Sequence, residues 1–147
     1  MESKTLTGIA LLILRLVLGV IMAAHGLQKV GFLGGQPLSQ TVEFMQGQFN
    51  LPVWSVYCNV AAELLGGVAL IIGILGRFAA MGVAATMVVA IWVAHWPHFF
   101  AKDGGMEFPL ALLGMALALI LTGMGPYSLD AKIARKMDAV AGRGEAA

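Results

Sequence analysis

Charge is what this chain has least of. Only 12% of its 147 residues are Asp, Glu, Lys or Arg, against about 25% in a soluble globular domain. Hydrophobic residues make up 59% and mean hydropathy is +0.86, the profile of an integral membrane protein whose core meets lipid as well as itself. A formal net charge of +1, with no dense basic patch, gives no footing for a nucleic-acid partner. The lone cysteine, Cys58, excludes an intrachain disulfide and a CxxC redox pair. Within a helix it reads as a small apolar filler rather than a reactive thiol. No HExxH or Glu-x-x-His pair is present, and Pro97 separates His95 from His98, so no metal site is expected. Haem ligation by His25 and His95 is disfavoured for the same want of pattern.

What is present is a set of four apolar runs, at about 6–24, 53–75, 78–96 and 108–124. Roughly 20 helical residues cross a hydrocarbon core about 30 Å thick. Arg15 interrupts the first run, which is therefore read as a membrane helix rather than a cleavable leader. A long linker follows it, a very tight turn at Gly76-Arg77 follows the second, and a medium loop follows the third. Short connections favour antiparallel neighbours, so the expected fold is all-α: an integral membrane up-down four-helix bundle spanning residues 1–130. No repeat or second domain is visible. Residues 131–147 read as a basic cytoplasmic tail, partly disordered from about 139 onward.

The long linker has its own periodicity. Val42, Met45 and Phe49 recur at helical spacing and Ser39 is placed to cap, which predicts a short amphipathic helix over 39–49. Lys4, Arg77, Lys132, Arg135, Lys136 and Arg143 fall on one side of the expected bundle, and only Lys29 and Lys102 on the other. This asymmetry places both termini in the cytoplasm.

Ionisable groups inside the runs are functional candidates. Glu63 sits near the middle of the second run with Asn59 one turn before it, and Arg15 is expected to pair with Glu63. Arg15, Met22, Gly26 and Lys29 lie within about 60° of one another on a helix. Trp92, His95 and Trp96 lie near the outer end of the third run, His25 near that of the first, and Glu107 opens the fourth. Ala111, Gly114 and Ala118 continue the stripe from Glu107, so that stripe is expected to pack inward, as Ala62, Gly66 and Gly73 do on the second run. Together these groups predict a cavity opening outward with Arg15 and Glu63 at its floor. Arg15, Lys29, Asn59, Glu63 and Trp92 are the candidate ligand-binding residues, and His25, His95 and Glu107 the candidate proton carriers. The competing readings are a structural ion pair, snorkelling histidines, tryptophans of the aromatic belt and a solvated Lys29.

Read in order, Arg15 with Gly19, HGLQKVGF at 25–32, NLPVW, AELLGGVALIIGILGRFAA at 62–80, GGMEFPLALL and GPYSLD at 125–130 resemble the DoxX family of small four-helix membrane proteins. The resemblance covers most of the chain. It carries over Arg15, His25, Gly26, Lys29, Glu63, Gly66, Gly67, Glu107 and Asp130 as motif positions, without an agreed catalytic set. It implies an inner-membrane subunit of a redox system, quinone-linked or sulfur- and thiol-linked.

The expected function is therefore a redox-associated membrane protein that holds a quinone or a small anionic sulfur species. No electron-carrying cofactor motif is present, so electrons would come from a partner protein or a substrate. The alternatives are a non-enzymatic anchor or assembly subunit, with homo-oligomerisation through the small-residue stripes, and a small-solute transporter. Against the transporter stand the lack of inverted repeats and of broken helix pairs.

Overall fold

A computed structural model describes residues 2–142, and these are all helix and loop with no strand. The helices are α1 (Glu2–Lys29), α2 (Leu38–Phe49), α3 (Val53–Ile72), α4 (Gly76–Ala90), α5 (Glu107–Thr122) and α6 (Leu129–Val140). Three helical stretches are long and apolar enough to cross a membrane: Ser3–Lys29, Val53–Ile72 and Gly76–His95. Their outward faces carry Ile13, Val17 and Val20 on α1 and Leu65, Val68 and Ile72 on α3, all exposed. Exposed apolar surface of this extent is a liability in water and the natural face toward lipid. The chain is an integral membrane protein.

Helix α1 packs on α3 and α5, and α4 packs on both of those, so the four surround one core. Leu18, Met22, Leu70, Val83, Met87, Leu112, Ala116 and Leu119 fill it. The α1–α3 contact is the closest. A Cβ on Gly26 would come within 2.6 Å of the Leu64 backbone, and one on Gly19 within 2.8 Å of the Gly67 carbonyl. Small residues let the backbones touch where hydrophobic drive is absent. Gly26 against Leu64, Ala23 against Gly67 and Gly19 against Ile71 fix an antiparallel register.

That register corrects two expectations. First, α1 does not stop at residue 24. It runs on through HGLQK to Lys29, because Gly26 needs helical geometry to meet Leu64. At 1.5 Å per residue it is about 42 Å long, against about 30 Å for α3. Second, the excess projects beyond the end of α3. Gly8 and Leu11 sit there against Pro126, Tyr127 and Gly125. Arg15 is therefore level with the α3–α4 turn, not with the middle of α3.

The turn itself is tight. Gly73 and Leu75 both take left-handed backbone conformations, with φ of 76° and 48°. Asp130 stabilises it: Oδ1 accepts from the Leu75 N–H and Oδ2 from the Gly76 N–H, each at 2.9 Å. A carboxylate here also meets the positive end of α4. Ser128, buried, caps α6 by accepting from the Ala131 N–H at 3.1 Å.

Helix α2 forms as its periodicity predicts, with Val42 buried against the core side. Its N-cap is Pro37 rather than Ser39, and no side chain caps it. Thr41 instead donates to the Lys29 carbonyl at 2.9 Å, tying α2 to the open end of α1. The α5 stripe is a third correction. Ala111 and Gly114 are exposed, and nothing lies within 4 Å of a Cβ on Gly114. The buried stripe is Pro109, Leu112, Ala116 and Leu119. The expected basic tail opens as helix α6 through Val140, and residues 143–147, with Arg143, lie outside the described residues.

Candidate functional site

The charged residues of α1 and α3 meet at the end away from the Asp130 turn. Lys29, in the last turn of α1, places Nζ 2.6 Å from Glu63 Oε1 and 2.8 Å from Asn59 Oδ1. The i, i+4 spacing of Asn59 and Glu63 puts both acceptors on one face of α3, and Lys29 reaches across to them. Glu63 is 4% exposed, and its Oε2 is buried with no partner among the described residues. The Lys29 side chain is 24% exposed. An ammonium has three donors, so two bonds leave one N–H for another acceptor.

Arg15 does not pair with Glu63, contrary to expectation. The α1–α3 register separates their levels by about twelve residues, roughly 18 Å along the helices. Arg15 is instead buried at the turn end, donating Nη2 to the Tyr127 carbonyl at 2.9 Å, with Nε and Nη1 unpartnered among the described residues. Gly73 makes room for it: a Cβ there would overlap the guanidinium.

Glu63, Asn59 and Lys29 line one side of a groove of about 560 Å³ between α3, α4 and α2. Its walls are largely apolar and include Met45 and Phe49 of α2, Cys58 and Ala62 of α3, and Ala85 and Val89 of α4. Such a volume lies within the usual range for small-molecule sites. The groove is apolar along its length and ionic at one place.

His95 joins it through a local irregularity. Residues Ile91–His95 form a π-helical turn that continues α4. In an unbroken α-helix His95 would lie about 180° from Thr86, which also lines the groove. A π-turn takes up roughly one extra residue, about 100° of rotation, and brings the imidazole back toward the groove. His95 Nδ1 is 2.7 Å from the Gly104 carbonyl. A carbonyl only accepts, so Nδ1 carries the proton and Nε2 is the acceptor of the neutral ring.

The remaining candidates lie elsewhere. Glu107 is not in the groove; its Oε1 accepts from the Ala101 N–H at 2.6 Å and shapes the loop between α4 and α5. His25 is exposed, with its ring 6.2 Å from that of Phe108. Trp92 stacks on Trp96 at 5.0 Å and is 64% exposed, outside the groove lining. Thr86, Met45 and Phe49 are groove residues that the ionisable pattern did not single out. The helical spacing of Met45 and Phe49 was the available signal for two of them.

Fold and site together define a small helical membrane protein with an ammonium–carboxylate–amide cluster set into an apolar groove. A sequence profile of the DoxX family matches residues 10–96, more than half of the chain and inclusive of Lys29, Asn59, Glu63 and His95. The chain belongs to the DoxX family. It is 34% identical over 122 residues to a Bacillus subtilis (strain 168) protein named "Putative oxidoreductase CatD", covering 83% of this chain and 85% of that one. It is 32% identical over 130 residues to an uncharacterized Haemophilus influenzae protein, covering 86% and 85%. No solved structure matches.

Proposed function

We propose that this chain is the membrane component of a redox system and that its groove binds a lipophilic quinone. The observation that carries the reading is the partly open Lys29 ammonium, held by Glu63 and Asn59 with one N–H left over, in an otherwise apolar groove. The oxidoreductase name of the Bacillus relative supports the redox setting.

The groove fits such a ligand. Met45, Phe49, Ala85 and Val89 suit an isoprenoid or ring face. The third Lys29 N–H suits a carbonyl oxygen. A bound quinone supplies two-electron, two-proton chemistry, with electrons from a redox partner protein. Lys29 orients the ligand, Asn59 and Glu63 hold Lys29, and His95 Nε2 takes or returns a proton. A small sulfur anion would satisfy Lys29 but leave the apolar walls unused.

In the bilayer, α1, α3, α4 and α5 form an up-down four-helix bundle in a bacterial inner membrane. Lys4, Arg77, Lys132 and Arg135 mark the cytoplasmic side with both termini, and the groove opens on the other side.

The test is extraction of the protein in mild detergent from its own membrane, followed by native mass spectrometry. One quinone per chain is the expected result, lost in Lys29→Met. Absence of quinone, together with failure to bind an added short-chain quinone, would sink the reading. A reproducible second polypeptide in that case would favour an anchoring role instead.

A further inference from the structure

A second pocket, of about 440 Å³, lies at the opposite end of the molecule from the groove. It forms between the first turns of α1 and the start of α6. Lys4, Thr5, Pro126, Tyr127, Lys132 and Arg135 line it, with no carboxylate among them. Arg135 is held in place: Nη2 donates to the Pro126 carbonyl and Nε to the Ala131 carbonyl, each at 3.2 Å. Behind the wall, the buried Arg15 donates to the Tyr127 carbonyl. Asp130, at the start of α6, turns its carboxylate away to the Leu75 and Gly76 N–H groups. The pocket is cationic by construction.

Helix α6 adds a second, independent feature. Leu129, Ile133, Met137 and Val140 fall within about 80° of one another around it. They are between 37% and 83% exposed, so the described chain covers them only in part and least toward Val140. Lys136 and Lys132 flank this edge on the Arg135 side, and Asp138 lies on the far side. An apolar edge with cations along one side is a pattern found in helices that lie in a membrane surface.

We propose that this pocket seats the phosphate of an anionic phospholipid, with the apolar edge of α6 sunk among its acyl chains. The cations alone would serve any phosphate. The adjoining apolar edge selects one that carries hydrocarbon, and this commits the site to a lipid. Basic pockets beside membrane helices on the cytoplasmic side bind lipid headgroups in this way. The assignment is independent of the quinone reading, because no residue of this pocket lines the groove.

The experiment is lipid back-titration of the delipidated full-length protein in detergent, read by native mass spectrometry. Phosphatidylglycerol is expected to bind at least about tenfold more tightly than phosphatidylcholine, and Lys132→Gln with Arg135→Gln to abolish the preference. Ile133→Gln should weaken phosphatidylglycerol binding while leaving the cations in place. Both variants change exposed positions, and an unchanged melting curve confirms that each folds. Equal retention of the two lipids, or a preference that survives the double substitution, overturns the proposal. So does displacement of phosphatidylglycerol by millimolar inorganic phosphate, which would make this a site for free anions.

Discussion

Lys29 Nζ lies 2.6 Å from Glu63 Oε1, joining the last turn of α1 to the middle of α3. The bond closes the two most tightly packed helices at the end where the groove begins. Its carboxylate is buried and its ammonium is partly open, so each partner has a different stake in the other.

Removing one member of the pair should cost more than removing both. Lys29→Met leaves Glu63 as an unpaired buried carboxylate, a loss of about 3–5 kcal/mol, whereas Lys29→Met with Glu63→Leu should recover most of it. Thermal unfolding of the two singles and the double gives the coupling. Additive losses would show that the pair is not energetically joined. Quinone retention should stay lost in the double variant even as stability returns.

Filling the groove without touching the ionic cluster separates binding from folding. Ala85 lines the groove from α4 and is exposed. Ala85→Phe should abolish ligand retention while moving stability by no more than about 0.5 kcal/mol, as surface changes usually do. Retention at the wild-type level would place the ligand elsewhere.

Two glycines should respond in opposite directions. At Gly26 a Cβ meets the Leu64 backbone at 2.6 Å, so Gly26→Ala should push α1 from α3 and cost about 1–3 kcal/mol. At Gly114 nothing lies within 4 Å, and Gly114→Ala should stabilise α5 by about 0.5–1 kcal/mol. Melting temperatures of the two variants check both signs.

Asp130 offers a test of the α3–α4 turn. Its two oxygens each accept one backbone N–H, so Asp130→Ala should lose about 2–3 kcal/mol. Asp130→Asn keeps one acceptor and should fall between. Equal stability of Asn and Asp variants would mean that the second bond contributes nothing.

Much of this arrangement was legible in residue order. The period of Val42, Met45 and Phe49 announced α2, and the shared face of Arg15, Met22, Gly26 and Lys29 is the face that turns inward. Asn59 and Glu63 act as one unit, as their spacing implies. The partner of Glu63 was not legible, because hydropathy ends the first run at Ala24 while backbone packing carries the helix to Lys29. Depth was hidden for the same reason. Arg15 sits mid-run in the sequence, yet α1 overshoots α3 and leaves it at the turn. On α5, Ala111, Gly114 and Ala118 share a spacing that fits either face, and larger neighbours, Leu112 and Leu119, took the interior. The π-turn before His95 has no signature in residue order at all.

Cys58 gives the groove a built-in reporter. It is the chain's lone thiol, it is exposed, and it lies on the groove wall one residue before Asn59. Alkylation of the unaltered protein therefore yields a single labelled position, and its rate follows occupancy of the groove directly. A ligand that slows that rate is one that enters beside Asn59, whatever its chemistry turns out to be.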